Sequence, residues 1–172
     1  VKYIGVFFLA LLPTAVLGQG YVRADWNHWA DFDGDCQNTR QEILIVRSLT
    51  PVILIRSCLV VTGSWLDPYT GSLLSSARSA DIDHVIPLKY AHDHGGALWS
   101  PLVKKLFAND PENLEVVSLR ENRRKGAGGP VAYMPPSGVC EYVKKWKGLL
   151  RKYELDAAPE DIAFIETALK GC

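Results

Sequence analysis

The stretch Asp81-Ile82-Asp83-His84-Val85-Ile86-Pro87-Leu88 decides how the chain is read. Polar and apolar residues alternate and a proline follows. This is the pattern of a short strand that stops abruptly and presents Asp83 and His84 at its end. Neighbours on a strand point to opposite faces, so these two side chains can touch different things. A carboxylate facing a metal beside an imidazole facing a water is a hydrolytic arrangement. Taken alone, the same residues read equally well as an ion pair on an edge strand.

The segments after it change that balance. Lys89 to His94 predicts a short helix ended by Gly95-Gly96, and Trp99 to Phe107 another, with Pro101 in its first turn. Asn113 to Ser118 reads as a short strand. Leu119 to Lys125 reads as a helix capped by Ser118, with Glu121 completing a capping box. Two strands and a helix make a ββα unit. If the strands pair, the helix folds back across them and Asn122 faces Asp83 and His84. Phosphodiester hydrolysis needs such groups. A hard cation such as magnesium takes oxygen ligands and keeps several waters, and Asp83 and the amide oxygen of Asn122 supply two oxygens. A neutral His84 can deprotonate an attacking water near neutral pH, while the cation stabilises charge on the phosphate and the leaving oxygen. The Asn113 amide can bridge backbone groups and fix the loop that carries His84.

The order Asp-His, Asn, Asn resembles the HNH, or His-Me finger, nucleases, most of all the secreted, disulfide-containing microbial members. The matching residues are Asp81 to Leu88 with its His-x-x-Pro signature, Asn113-Leu114, and Glu121-Asn122-Arg123-Arg124-Lys125-Gly126. Asp31 to Glu42 and Gly63-Ser64-Trp65 also look like this group. The resemblance implies an α+β fold, a mainly helical single domain around a ββα-metal core, stapled by two disulfides. It implies His84 as general base, Asp83 and Asn122 as metal ligands and Asn113 as the structural middle residue. The last residue of the motif is often histidine in the family; here it is Asn122. Lys89 to Asp110 reads as an inserted helical excursion. The expected activity is a magnesium-dependent, manganese-tolerant endonuclease. It would cut DNA, with RNA as a second candidate substrate, show little sequence preference and leave 5′-phosphate ends. The other readings are a non-enzymatic calcium-binding or adhesion module and a hydrolase of another phosphodiester.

Arg123, Arg124 and Lys125 follow Asn122 and read either as phosphate-neutralising side chains or as a solvated helix end. Arg40 and Arg123 are candidates for an arginine that stabilises the transition state. In Asp31-Phe32-Asp33-Gly34-Asp35, with Glu42 further on, the acids sit where a calcium loop has its ligands. The position that should be glycine is Cys36, and the other reading is an acidic cap for the helix that follows. That helix, Arg40 to Leu49, is expected to turn Ile43, Leu44 and Val46 inward. His92 and His94 lie two apart and cannot share a helix face, so they read as a polar helix end. The basic helix Val139 to Tyr153 reads as a solvated face rather than a nucleic-acid contact.

With 172 residues, nearly half of them apolar, the chain suits one domain with a real core. Valine stands first and Met134 is the lone methionine, so the sequence reads as lacking its initiator or as a fragment. Lys2, the apolar run Ile4 to Leu12 and the small residues after Pro13 predict a secretory signal peptide over 1–18, with the nuclease-like domain over 19–172. The run is too short to span a bilayer, so no membrane association is expected once it is removed. Basic and acidic residues balance at 19 each, which argues against strong global attraction to nucleic acid without excluding a local basic groove. A monomer is expected. The four cysteines of an exported chain predict two disulfides. Of three possible pairings, Cys36–Cys58 and Cys140–Cys172 are favoured because each closes a local loop.

Overall fold

A computed structural model describes residues 20–172; the expected leader over 1–18 lies outside the described residues. The helices are α1 (Thr39–Arg47), α2 (Leu88–Asp93), α3 (Pro101–Ala108), α4 (Leu119–Lys125), α5 (Val139–Lys152) and α6 (Pro159–Lys170). The strands are β1 (Ile53–Ile55), β2 (Leu59–Leu66), β3 (Leu73–Ser76), β4 (Ala80–His84) and β5 (Leu114–Ser118). The protein is thus α+β, with more residues in helices than in strands.

β4 and β5 pair antiparallel with Ala80 opposite Ser118, Asp83 opposite Glu115 and His84 opposite Leu114. This ribbon lies between two apolar clusters. One gathers Ile43 and Leu44 of α1 with Val60 and Trp65 of β2, and the ribbon contributes Ile82, Leu114 and Val116 to it. The other is built from Phe107, Tyr142, Val143, Trp146 and Ile165, and takes Val85, Ile86 and Val117. A strand covered on both faces loses the polar-out half of its alternation. That is why Asp83 and His84 are buried at 3% and 6% exposure, where a ribbon with one solvated face would leave one of them wet.

β1, β2 and β3 form a separate antiparallel sheet in that order. The turn Asp67 to Gly71 links β2 to β3. Asp67 is fully buried: its carboxylate accepts the Tyr69 N–H (2.8 Å), the Thr70 hydroxyl (2.9 Å) and the Ser118 N–H (3.0 Å). One side chain therefore fastens the turn to the start of α4. The helix α4 begins where Ser118 accepts the Glu121 N–H at 3.3 Å. The expected capping box is half formed, because Asp67 holds the Ser118 N–H and the Glu121 carboxylate accepts from Tyr133 at 2.7 Å.

In α1, Ile43 and Leu44 are buried but Val46 is 77% exposed, against the sequence expectation. Gln41 takes the inward place, accepting the Val60 N–H at 2.9 Å and so tying α1 to β2. Cys36–Cys58 joins the acidic loop to the start of β2, and Cys140–Cys172 joins the start of α5 to the chain end after α6. At Gly138, before α5, φ is +64° and a Cβ would lie 2.4 Å from the Pro68 carbonyl oxygen, so only glycine fits.

Asp67→Ala removes the acceptor for three groups at once. Leaving buried donors unpaired costs about 1–3 kcal/mol each when water cannot replace the partner. Urea unfolding is expected to show a loss of at least about 2 kcal/mol, against a few tenths for Asp93→Ala on the exposed face of α2.

Candidate functional site

The end of β4, the start of α2 and the end of α4 enclose a cavity of about 280 Å³ whose wall includes Asp83, His84, Asn122, Lys89 and Arg23. The two strand residues reach it with different partners. Asp83 is held by Lys125 Nζ on Oδ1 at 2.9 Å and by the Tyr69 hydroxyl on Oδ2 at 2.7 Å. Lys125 also donates to the His84 carbonyl at 2.7 Å. Burial pushes the Asp83 carboxyl up, and Lys125 and Tyr69 pull it back toward the charged form. Burial likewise pushes the Lys125 ammonium down against the attraction of Asp83.

His84 stacks on Trp29, ring centres 5.6 Å apart at 27°. Its Nε2 lies 2.8 Å from the Ala108 carbonyl oxygen. A carbonyl can only accept, so Nε2 carries the hydrogen and Nδ1 is the acceptor of the neutral ring. Nδ1 has no protein partner among the described residues and is not among the buried polar atoms that lack one, so it is the ring atom that water reaches. Burial first, with Arg23, Lys125 and His28 adding to it and the Ala108 contact opposing, lowers the imidazole to about 3. The ring is therefore neutral throughout the physiological range.

Asn113 is wholly buried and brackets Ile86: its amide oxygen accepts the Ile86 N–H at 2.8 Å and its amide N–H donates to the Ile86 carbonyl at 3.2 Å. Its own carbonyl accepts the Val85 N–H at 2.8 Å. These bonds fix the chain directly after His84. Asn122, half-buried, donates from Nδ2 to Asp81 at 2.8 Å. Its amide oxygen takes no partner among the described residues. Asp81, given no chemistry by the sequence, orients that amide.

The basic residues expected to bind substrate are placed differently. Lys125 is buried against Asp83 and offers nothing to a ligand. Arg40 donates to the Ala77 and Ala80 carbonyls at 3.1 and 3.3 Å, clamping the turn into β4. Arg124 is bound to Glu121 and lies over the Tyr133 ring. Arg123 is exposed and outside the cavity wall. Sequence reasoning missed Tyr69, Ala108 and Arg23. The first two act through one hydroxyl or one carbonyl and leave no pattern.

Asp31, Asp33 and Asp35 do come together, with a ligand atom of each within 4.8 Å of the others, all exposed. Cys36 takes φ +76°, the left-handed conformation that the glycine of a calcium loop would supply. The acids are partly engaged already: Asp31 accepts the Gly34 N–H at 2.8 Å and Asp35 the Gln37 N–H at 2.7 Å. Glu42 lies near enough that, after burial, their charges raise its carboxyl. The helix cap falls elsewhere, on Asn38, whose side chain accepts the Gln41 N–H. His94 bonds the Asp156 carbonyl at 2.7 Å and stacks on Tyr90, and His92 packs against Tyr21 and Trp26. Neither lies on the cavity wall.

Fold and bonding define a disulfide-stapled α+β protein. The chain is 34% identical over 157 residues to an uncharacterized secreted protein of Arthroderma benhamiae, covering 89% of this chain and 76% of that protein. It belongs to the same family as that protein. No family model matches the chain, and no solved structure matches it. Among the described residues no helix is long and apolar enough to cross a membrane.

Two measurements test the bonding. Breaking a buried ion pair at one end leaves an unpaired charge and costs about 3–5 kcal/mol, whereas removing both ends is far milder. Asp83→Asn and Lys125→Met are each expected to lose that much in urea unfolding, and the double variant clearly less than their sum. His84 supplies a pH test. Its folded pKa of about 3 lies below the unfolded value of about 6.5, so below pH 6.5 the unfolded state takes up a proton that the folded state refuses. Stability from this group is full above that pH and falls as pH drops toward 3. Between pH 7.5 and 5 the wild type is expected to lose about 2 kcal/mol that His84→Gln does not lose.

Proposed function

We propose that the protein is a secreted, divalent-cation-dependent endonuclease that hydrolyses DNA phosphodiesters, with His84 as the general base. The observation that carries this reading is the state of His84. The imidazole is neutral, its tautomer is fixed by Ala108, and its basic nitrogen is the one open to water, in a cavity shared with Asp83 and Asn122. A base must be unprotonated and rigidly aimed before it can accept a proton in the transition state. Lowered basicity reduces the driving force for each transfer, and the enforced neutrality and fixed direction offset that in part.

The donor set fits a hard cation. Asn122 offers an amide oxygen with no other partner, and each Asp83 oxygen, engaged once, keeps acceptor capacity. Asp83 and Asn122 would hold the ion. When bound, it would supply positive charge for the phosphate and the leaving oxygen. The chain's own groups do the rest. Asp81 orients the Asn122 amide, Tyr69 and Lys125 keep Asp83 at the wall, and Asn113 keeps the turn after His84 from shifting the ring. Lys125 also offsets the Asp83 charge, and a hard cation held by only these two protein oxygens would keep waters of its own. As His84 Nδ1 takes the water proton, the water oxygen bonds to phosphorus and the bond from phosphorus to the 3′ oxygen breaks; the 3′ oxygen takes a proton from solvent to become a hydroxyl, and the 5′-phosphate remains on the other product. Little sequence preference is expected of such a cut.

Supercoiled plasmid is expected to be nicked by the wild type in magnesium and left intact in EDTA. His84→Ala is expected to cut at least about 100-fold more slowly. Equal nicking by His84→Ala would remove the base assignment, and a wild type inert toward both plasmid and RNA would remove the nuclease reading.

A further inference from the structure

We propose that Arg23 is the side chain that grips the scissile phosphate, its guanidinium taking non-bridging oxygens of a nucleic-acid phosphodiester lodged in the His84 cavity. The inference rests on the hydrolytic reading of that cavity and names the residue that holds the substrate's reacting group.

Arg23 lines the same cavity as His84, Asp83 and Asn122 although it lies about sixty residues earlier in the chain. It is exposed, and among the described residues it enters no salt bridge. Arg123 lies outside the cavity wall, and the other cations at or behind that wall are engaged. Lys89, also on the wall, is paired with Asp93. Lys125 is sealed against Asp83, Arg124 is bound to Glu121, and Arg40 is held by two carbonyls. Arg23 meets the Tyr21 hydroxyl with part of its guanidinium, and with five N–H donors on that group it keeps the rest for a ligand. Its charge lowers the His84 imidazole, as a cation on the same cavity wall should.

Its backbone is well anchored. Arg23 opens a 3-10 turn, Arg23–Trp26, whose last residue is completely buried and packs edge-on against Trp99 and Phe107. Farther along, Ala30 donates to Asn109 and accepts from Thr39. A guanidinium on such a mount presents a planar fork of donors that matches two phosphate oxygens, which a lysine ammonium cannot do. Phosphate charge builds up in hydrolysis, and a fixed donor pair at that charge stabilises the transition state more than the ground state.

The test compares wild type, Arg23→Ala, Arg23→Lys and, as a distant surface control, Arg56→Ala. Each is assayed with magnesium on plasmid DNA and on bis(4-nitrophenyl) phosphate, a single phosphodiester with no flanking backbone. Arg23→Ala is expected to lower kcat/KM about 100-fold on both substrates, with kcat falling as well as affinity. Arg23→Lys is expected to recover only part of this and Arg56→Ala to match wild type. Activity of Arg23→Ala within three-fold of wild type overturns the proposal. So does a loss confined to plasmid, which would make Arg23 a general backbone contact. If Arg23→Ala melts at a lower temperature than wild type, Arg23→Gln is read in its place by the same criteria. A wild type inert toward both esters is a different failure: it removes the hydrolytic reading, and this proposal with it.

Discussion

The ion pair between Asp83 and Lys125 is the contact on which the centre of the molecule depends. Both side chains are almost wholly out of water, at 4% and 0% exposure. Withdrawing two charges from solvent is unfavourable by several kcal/mol per ion, and attraction restores this only where the geometry is good and the remaining hydrogen bonds are made. Here they are made. Lys125 divides its protons between the Asp83 carboxylate and the His84 carbonyl, and the second carboxylate oxygen receives the Tyr69 hydroxyl. The pair thereby joins the last residue of α4 to the last two of β4. Tyr69 adds the turn between β2 and β3, which Asp67 holds to the start of α4. Two buried acids thus fasten α4 at both ends.

His84 occupies the other face of the same strand and is governed by the opposite rule. Burial raises the Asp83 carboxyl, and its partners pull it back toward the charged form; His84 is held neutral by burial, with no acid partner to oppose it. Trp29 covers the ring, Ala108 takes its one N–H, and the nearby charges that matter are positive. Alternation along one strand therefore gives adjacent residues different protonation behaviour. The helical excursion between His84 and Asn113 has a structural purpose, because α3 ends at Ala108 and so delivers the carbonyl that fixes the tautomer.

Much of this was legible in the sequence. Strand and helix periods, proline and glycine stops and the Ser118 cap placed the elements to within a few residues, and cysteine spacing chose the pairing that the structure has. The juxtaposition of Asp83, His84 and Asn122 followed from strand, strand, helix order. The electrostatics were not legible. Lys125 ends a run of basic residues and looks solvent-facing, yet its partner lies 42 positions away. Arg40 looks like a phosphate ligand until Ala77 and Ala80 claim its donors. Arg23 sits in an aromatic stretch with no motif, and only the burial of Trp26 brings it to the cavity. Val46 looks inward by period, but α1 ends one residue later and Gln41 has a strand N–H to satisfy. In each case local pattern fixes an element, while long-range hydrogen bonding fixes which polar side chains remain free.

That distinction explains how a chain of balanced charge can hold an anionic substrate in the proposed reading. Net charge counts every residue alike, but a ligand meets only charges that are unpaired and near. On the cavity wall Asp83 is offset by Lys125 behind it and Lys89 by Asp93 beside it. His84 contributes no charge. What remains is Arg23, and at about 8 Å of screening in physiological salt the balanced surface elsewhere has little effect on it. The buried pair therefore has a second consequence besides joining β4 to α4. By offsetting the one carboxylate on the wall, Lys125 leaves the cavity with a positive rather than a neutral balance. A phosphodiester can approach His84 without meeting an uncompensated acid.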